Sequence, residues 1–459
     1  MSRALIIFTR VPVPGQTKTR LMPYLSGQMC ARLHTCFLKD IAGECGKVSA
    51  EVFVYYTPED KKGILREIFG RECVYRKQCE GNLGLRMYRA MKEVLAQGYE
   101  SCVLIGTDIP ELTSKEIQYA FRLLDIHDIV FGPTKDGGYY LVGMKEPVKE
   151  VFAQQTYGHG SVLEQTVSYV RENRENACSV GYVRTICDVD TKEDVAELRN
   201  RLREKKSWQC CETGRFLMRN QTISVIVPVY NEASTIEKIQ RELLPLKDRC
   251  EILFVDGGST DGTPDMIDSR FRVLYGVKGR AAQMNLGARE SSGDILFFLH
   301  SDSELPKRPL EEIRAVMAGH RVGCFGIAFH SRSFFLWTCR VISNHRIKDR
   351  KVIFGDQGIF IDRALFFEAG MYPELPIMED YQLSLTLKEM GVKIGIAKHR
   401  IYTSDRRFPK KTIPKLKVMW KMNRLRKMYR DGVSIGKISN LYKDCLLYTS
   451  DAADDSLRV

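Results

Sequence analysis

Three short, unbroken apolar runs lie between residues 223 and 306, and each stops at polar or acidic residues. Residues 223–229 stop at Tyr230-Asn231-Glu232, 252–255 at Asp256-Gly257-Gly258-Ser259, and 295–299 at His300-Ser301-Asp302. Short, nearly continuous apolar runs are the mark of strands buried on both faces of a parallel sheet. The segments between them have a helical pattern, so the order is β-α-β-α-β. Open α/β sheets bind ligands outside the carboxyl ends of their strands. Asp256 and Asp302 are therefore expected on a ligand-binding edge, although either acid alone could simply cap a helix or solvate a strand end.

The first half repeats the pattern. Residues 4–8 predict a buried strand, followed by a loop over 9–21 with two prolines, a glycine and three cations. Lys18 and Arg20 in that loop could clamp phosphate oxygens or could belong to an ordinary basic surface loop. The loop is not a phosphate-binding G-x-x-x-x-G-K-[ST] motif. A strand at 102–105 ends in Gly106-Thr107-Asp108, which puts Asp108 where Asp302 stands in the second half. A strand at 129–131 leads to Asp136-Gly137-Gly138, whose glycines would let backbone approach a ligand. Asp190 precedes a helix with Glu193 and Asp194 in its first turn. It is either a second metal carboxylate opposite Asp108 or an N-cap, an interaction contributing about 1 kcal/mol.

Outside those three runs the second half is less regular. Arg280 opens a helix after Gly279, where a cation can meet diphosphate oxygens beside backbone N–H groups, and Asn285 lies on the same helix. Gly355-Asp356-Gln357-Gly358 interrupts two apolar runs and predicts a loop facing an acceptor. A helix is expected from about residue 379 to Gly391. Its first residues, Glu379 and Asp380, suit the helix dipole or a general base. Nine lysines or arginines and no acid fall between Lys410 and Arg430. That basic segment reads as a helix packed on the domain with a solvated face, or as a helix lying on an anionic membrane.

The motifs VIVPVYNE, FVDGGSTDGT and LHSD resemble family 2 inverting glycosyltransferases, with their nucleotide-diphospho-sugar-binding GT-A (Rossmann-like) fold, over residues 223–443. GRAAQMNLGA, FGDQGIF and ELPIMEDYQLSLTLKEMG are similar to the branch associated with arsenosugar biosynthesis. The resemblance implies that Asp256 contacts the nucleotide, with Glu232, Arg280 and Asn285 in the substrate site. It implies Mg²⁺ or Mn²⁺ at Asp302, in a "DxD" motif whose first acid is His300 here. It implies Asp380 as the base, with Glu379 as the alternative, and Asp356 and Gln357 orienting the acceptor. In the first half, PGQTKTRL, IGTDIP, KDGGYYLVG and DVDTKEDV resemble nucleotide-diphospho-sugar transferase-like proteins often paired with that branch, and guanylyltransferases that activate small phosphorylated acids. That resemblance covers residues 2–203. It implies phosphate contacts from Lys18 and Arg20, substrate contacts from Asp136, Gly137 and Gly138, and metal at Asp108 and Asp190.

Composition narrows the picture. At 459 residues the chain is too long for one ordinary core. The expected plan is a domain over 1–203, a charged linker over 204–221, a second domain over 222–445, and a non-native or disordered tail over 446–459. Hydrophobic content of 44% and charged content of 28% are those of a soluble globular protein. A net charge of +13 favours anionic partners, but no zinc-finger, helix-turn-helix or RNA-recognition pattern supports nucleic acid. No G-x-G-x-x-G follows either first strand, which excludes a dinucleotide-dependent dehydrogenase. The 14 cysteines have no C-x-x-C or zinc-like spacing and read as reduced thiols. The chain start has an apolar run of only five residues, so no signal peptide is expected. No run approaches a membrane span. The expectation is a cytoplasmic, metal-dependent bifunctional enzyme. It would transfer a sugar from a nucleotide-diphospho-sugar to the hydroxyl of a small acceptor, with inversion. The alternative is a membrane-surface enzyme with a lipid or carotenoid acceptor, peripheral through residues 410–430, and a non-catalytic first domain.

Overall fold

A computed structural model describes residues 2–58, 62–153, 161–173, 178–330, 334–403 and 412–442. The expected tail over 446–459 lies outside the described residues, as do Lys410 and Lys411. The chain divides into two compact units, Met1–Leu217 and Met218–Val459.

The strands of the first unit are β1 (Arg3–Arg10), β2 (Glu51–Thr57), β3 (Val74–Lys77), β4 (Ser101–Ile105), β5 (Ile129–Pro133), β6 (Tyr139–Met144) and β7 (Val180–Tyr182). They form one sheet in the order β3-β2-β1-β4-β6-β5-β7. Every pairing is parallel except those of β6, which runs antiparallel to β4 and β5. The continuous apolar run of β1 has a simple cause. Leu5 and Ile7 pack into the core on one face, and Ala4 and Ile6 into the core on the other. Burying each such large aliphatic side chain contributes about 1.5–3 kcal/mol.

The second unit contains β8 (Ile223–Val229), β9 (Glu251–Asp256), β10 (Arg272–Tyr275), β11 (Ile295–Phe298), β12 (Val322–Cys324), β13 (Ile327–Ala328), β14 (Ile359–Asp362), β15 (Ile394–Ile396) and β16 (Ile401–Tyr402). Its main sheet has the order β10-β9-β8-β11-β14-β12-β15, with β13 and β16 paired separately. β14 is antiparallel to both neighbours. The two main sheets therefore share one topology, and the fold class expected from the sequence, two tandem α/β units with mostly parallel sheets, is the one observed. The register sets Phe298 opposite Ile359. The start of β14 thus lies at the carboxyl edge of β8, β9 and β11.

The stretch expected as an unpatterned linker is structured. It holds the helix Glu212–Arg219, whose first N–H groups, from Glu212 and Thr213, donate to the Asp40 carboxylate at 2.7 and 2.9 Å. Thr213, Leu217 and Met218 are buried. Counted with Gly214, they make a helical stripe that a search for large apolar residues overlooks.

Candidate active site

In the second unit, Asp256 ends β9 and is almost wholly buried. Its carboxylate caps its own turn, accepting from the N–H of Gly258 at 2.9 Å, the N–H of Ser259 at 3.0 Å and Ser259 Oγ at 2.5 Å. Gly258 has φ of 86°, the left-handed conformation that glycine adopts without cost. Glu232, past the end of β8, accepts from Thr235 Oγ1 at 2.5 Å at the start of the helix Ile236–Leu243.

The chain past β11 and the chain before β14 meet at one point. Gly355 packs so tightly that a Cβ there would lie 2.7 Å from His300 Nε2 and 3.6 Å from Asp380 Oδ2. Its N–H donates to Asp380 Oδ2 at 2.8 Å, and the N–H of Tyr381 donates to Oδ1 at 2.7 Å. Asp380 belongs to the helix Glu379–Glu389, which Met378 opens in the left-handed conformation at φ of 73°. The neighbouring Glu379 is 1% exposed and pairs with Arg280 Nε. Burial by itself would lower the Arg280 pKa, but Glu379 and Asp380 outweigh it and raise it.

His300, Asp302, Asp356, Asp380 and Arg280 line a single cavity of about 1240 Å³. Ordinary small-molecule pockets run to about 1,000 Å³, so the cavity exceeds the usual size for one small ligand. The cavity walls come from the helices Phe334–Arg350 and Thr412–Arg430, through Arg346, Trp420, Arg426 and Arg430 among others. The basic segment is thus a cavity wall, a role that the solvated-face reading did not foresee. The missed signal was its aromatic content: Trp420 and Tyr429 break the run of cations.

Two expected substrate contacts are corrected. Asn285 is 1% exposed, and both ends of its amide are taken by the backbone of Tyr372, at 2.8 and 3.1 Å. Gln357 is fully buried; its Oε1 accepts from the N–H of Phe354 at 2.9 Å and its Nε2 reaches Ser343 O at 3.4 Å. Each is a polar side chain satisfying buried backbone.

The first unit treats its acids differently. The Lys18 ammonium is buried, 2.6 Å from Asp108 Oδ1, 3.0 Å from Asp190 Oδ1 and 2.6 Å from the carbonyl of Val189. Arg20 Nη1 lies 3.2 Å from Asp190 Oδ2. The expected arrangement put Lys18 and Arg20 on phosphate and Asp108 and Asp190 on metal; here the cations lie against those carboxylates. Burial opposes both charges, but their attraction wins, raising the Lys18 pKa and lowering that of Asp108. Asp188 has no such partner among the causes of its shift. Burial, then Asp136 and Asp190, push its carboxyl up to about 6. Asp136 caps the turn between β5 and β6, accepting from Thr134 Oγ1 at 2.5 Å and the N–H of Gly138 at 3.2 Å. Gly137, at φ of 85°, supplies the positive φ that this hairpin turn requires.

Among the described residues, no group of three or more His, Cys, Asp or Glu could hold a metal ion by itself. No described helix is long and apolar enough to cross a membrane.

Comparison with known proteins agrees with this division. Residues 43–159 match the family described as "Uncharacterized protein conserved in bacteria (DUF2064)", and residues 224–368 match "Glycosyl transferase family 2". Glycosyltransferase AglE of Haloferax volcanii is 36% identical over 117 residues, covering 23% of this chain and 38% of that protein. The beta-monoglucosyldiacylglycerol synthase of Synechocystis is 24% identical over 199 residues, covering 38% and 42%. The chain thus spans less than half the length of these curated relatives. A crystal structure described as a nucleotide-diphospho-sugar transferase of Desulfovibrio desulfuricans is 29% identical, covering 48% of this chain and 96% of that one, with a TM-score of 0.45. The two matches fall one in each unit, DUF2064 in the first and glycosyl transferase family 2 in the second.

Proposed function

We propose that the second unit transfers a sugar from a nucleotide-diphospho-sugar to an acceptor hydroxyl, with inversion. The observation that carries this is the single cavity at the sheet edge lined by Asp302, Asp356, Asp380 and Arg280. Asp256 and Glu232, at the neighbouring strand ends, hold the nucleotide side. Asp380 takes the acceptor proton as the acceptor oxygen bonds to the anomeric carbon and the bond to the diphosphate breaks. Its carboxylate is oriented by two backbone N–H groups, which leaves its remaining lone pairs for that proton.

Asp302, beside His300, would hold Mg²⁺ or Mn²⁺. A site with few protein ligands suits a cation whose coordination is completed by diphosphate oxygens. Bound there, the ion would offset the charge on the leaving diphosphate. The resemblance in the 279–288, 354–360 and 374–391 motifs extends the reading to arsenosugar biosynthesis. Thermal-shift titration of the full chain with UDP-, GDP-, dTDP- and CDP-sugars, with and without Mn²⁺, tests the donor site. A Mn²⁺-dependent stabilisation that Asp302→Ala removes is expected. Equal stabilisation of the variant would overturn the assignment.

For the first unit, resemblance points to nucleotidyl or sugar transfer, while the burial of Lys18 between Asp108 and Asp190 favours a non-catalytic binding module. If the module reading holds, Lys18→Ala and Asp108→Ala change no transferase activity measured in the full chain.

A further inference from the structure

Arg346, Arg426 and Arg430 stand together on one side of the cavity, the first on the helix Phe334–Arg350 and the others on the helix Thr412–Arg430. Aromatic rings seat them. The guanidinium carbons of Arg346 and Arg426 lie 4.9 and 5.4 Å from the centre of the Phe354 ring. Arg430 Nη1 donates to the Tyr381 hydroxyl at 3.1 Å. The Phe354 and Tyr381 rings are themselves stacked, 6.1 Å apart and 11° from parallel. Such seats fix the planes of the guanidinium groups.

Their charge is not matched by protein. Among the described residues, none of the three forms a salt bridge, and Arg346 Nε is buried without a hydrogen-bond acceptor. Asp356 attracts Arg346 and Arg426 from beyond ion-pair distance and offsets only part of that charge. Burial, followed by repulsion from Arg346, pushes the Arg426 pKa down to about 10, and burial lowers that of Arg346. Cations held under such conditions gain from a bound anion.

We propose that Arg346, Arg426 and Arg430 form a phosphoryl-binding subsite for the acceptor, so that the acceptor is a phosphorylated molecule. The proposal rests on the glycosyl-transfer reading of this cavity. Guanidinium forks match phosphate oxygens bidentately. Location assigns the subsite to the acceptor and not to the donor diphosphate. Asp256 and Asp302 follow β9 and β11, whereas Phe354 leads into β14 and Tyr381 adjoins Asp380. The trio therefore lines the cavity on the side of Phe354 and Tyr381, the neighbours of Gly355 and Asp380. The phosphoryl group could belong to a soluble phosphomonoester or to a phospholipid headgroup.

The test titrates the full chain with glycerol 3-phosphate by calorimetry, at saturating UDP or GDP with Mn²⁺. A parallel flotation assay uses vesicles containing phosphatidic acid. The expected result is binding of at least one probe with nucleotide in place, weakened tenfold or more in both Arg426→Gln and Arg430→Gln. Nucleotide affinity should stay within twofold, and melting curves of the two variants control for folding. A response to glycerol 3-phosphate identifies the soluble source; a response to vesicles alone identifies the lipid. Displacement of the probe by nucleotide, an equal loss of nucleotide affinity in both variants, or an equal response to acetate at matched ionic strength would overturn the subsite. So would failure of both probes. If the wild type binds no nucleotide, the glycosyl-transfer reading fails instead, and arginine-dependent probe binding is then read without nucleotide.

Discussion

The two units lay the same strand order under two different arrangements of charge. Asp108 follows β4, and Asp302 follows β11, the strand at the equivalent place in the second sheet. In the first unit a lysine and an arginine fold back onto the carboxylates at that edge. In the second, Arg280 is directed to the buried Glu379 instead, and Asp302, Asp356 and Asp380 line a large cavity. A carboxylate at a strand end is thus something the topology makes easy to place. Whether it becomes a site depends on where the nearest cation spends its charge.

The comparison breaks most sharply at Asp380. Asp380→Asn removes the base at nearly constant shape, but it keeps only one of the two oxygens that accept from the N–H groups of Gly355 and Tyr381. If the second unit is the transferase, turnover should fall by about 10²–10⁴-fold, well beyond the stability loss of about 1–3 kcal/mol that one unpaired N–H group causes; retained turnover would move the base elsewhere. On the other side, Lys18→Ala leaves Asp108 without its ion-pair partner and Asp190 with Arg20 alone. Breaking a buried ion pair costs about 3–5 kcal/mol, and the partial exposure of both acids reduces this to about 2 kcal/mol. Denaturant titration should register the loss as a lower midpoint for the first unit.

Asn285→Ala separates a structural amide from a substrate contact. Losing both bonds to Tyr372 should lower stability by about 1–3 kcal/mol without raising the donor KM, and a KM effect at unchanged stability would restore the substrate role. Gly355→Ala, which forces a methyl against His300, should reduce turnover about tenfold, equivalent to about 1.4 kcal/mol, with little change in the melting temperature.

The smallest expected effect concerns pH. Asp188 binds its proton more tightly in the folded chain, with a pKa of about 6 against 3.8. Its contribution is therefore most favourable at low pH and is lost as pH rises from about 4 through 6. Asp188→Asn should raise stability at pH 7.5 by about 1 kcal/mol, discounted for its partial exposure, and should change little at pH 4. A variant no more stable than wild type at pH 7.5 would mean that Asp136 and Asp190 do not press on it.

The strands and the acids that close them were legible because a doubly buried strand can be built only from an unbroken apolar run, and the first polar residue after it marks the edge. Asp256 and Asp302 could be named in this way; Asp380 was named from the resemblance, and the helix start at Glu379 followed from Pro376 and the paired acids. The roles of Asn285 and Gln357 were not legible, because a polar side chain bonded to buried backbone has the same letter as one bonded to substrate. The helix Glu212–Arg219 was hidden for a related reason: its buried stripe includes Thr213 and Gly214, which do not register as apolar.

Local pattern alone determined two α/β units, their carboxyl edges and a set of carboxylates at those edges, since periodicity and strand length depend on neighbours in the chain. Tertiary structure decided which cation meets which acid: Lys18 reaches Asp190 across 172 positions and Arg280 reaches Glu379 across 99. It also turned the basic helix Thr412–Arg430 into a cavity wall. Electrostatic energy depends on distance in space, and separation along the chain carries no information about that distance until the sheet is assembled.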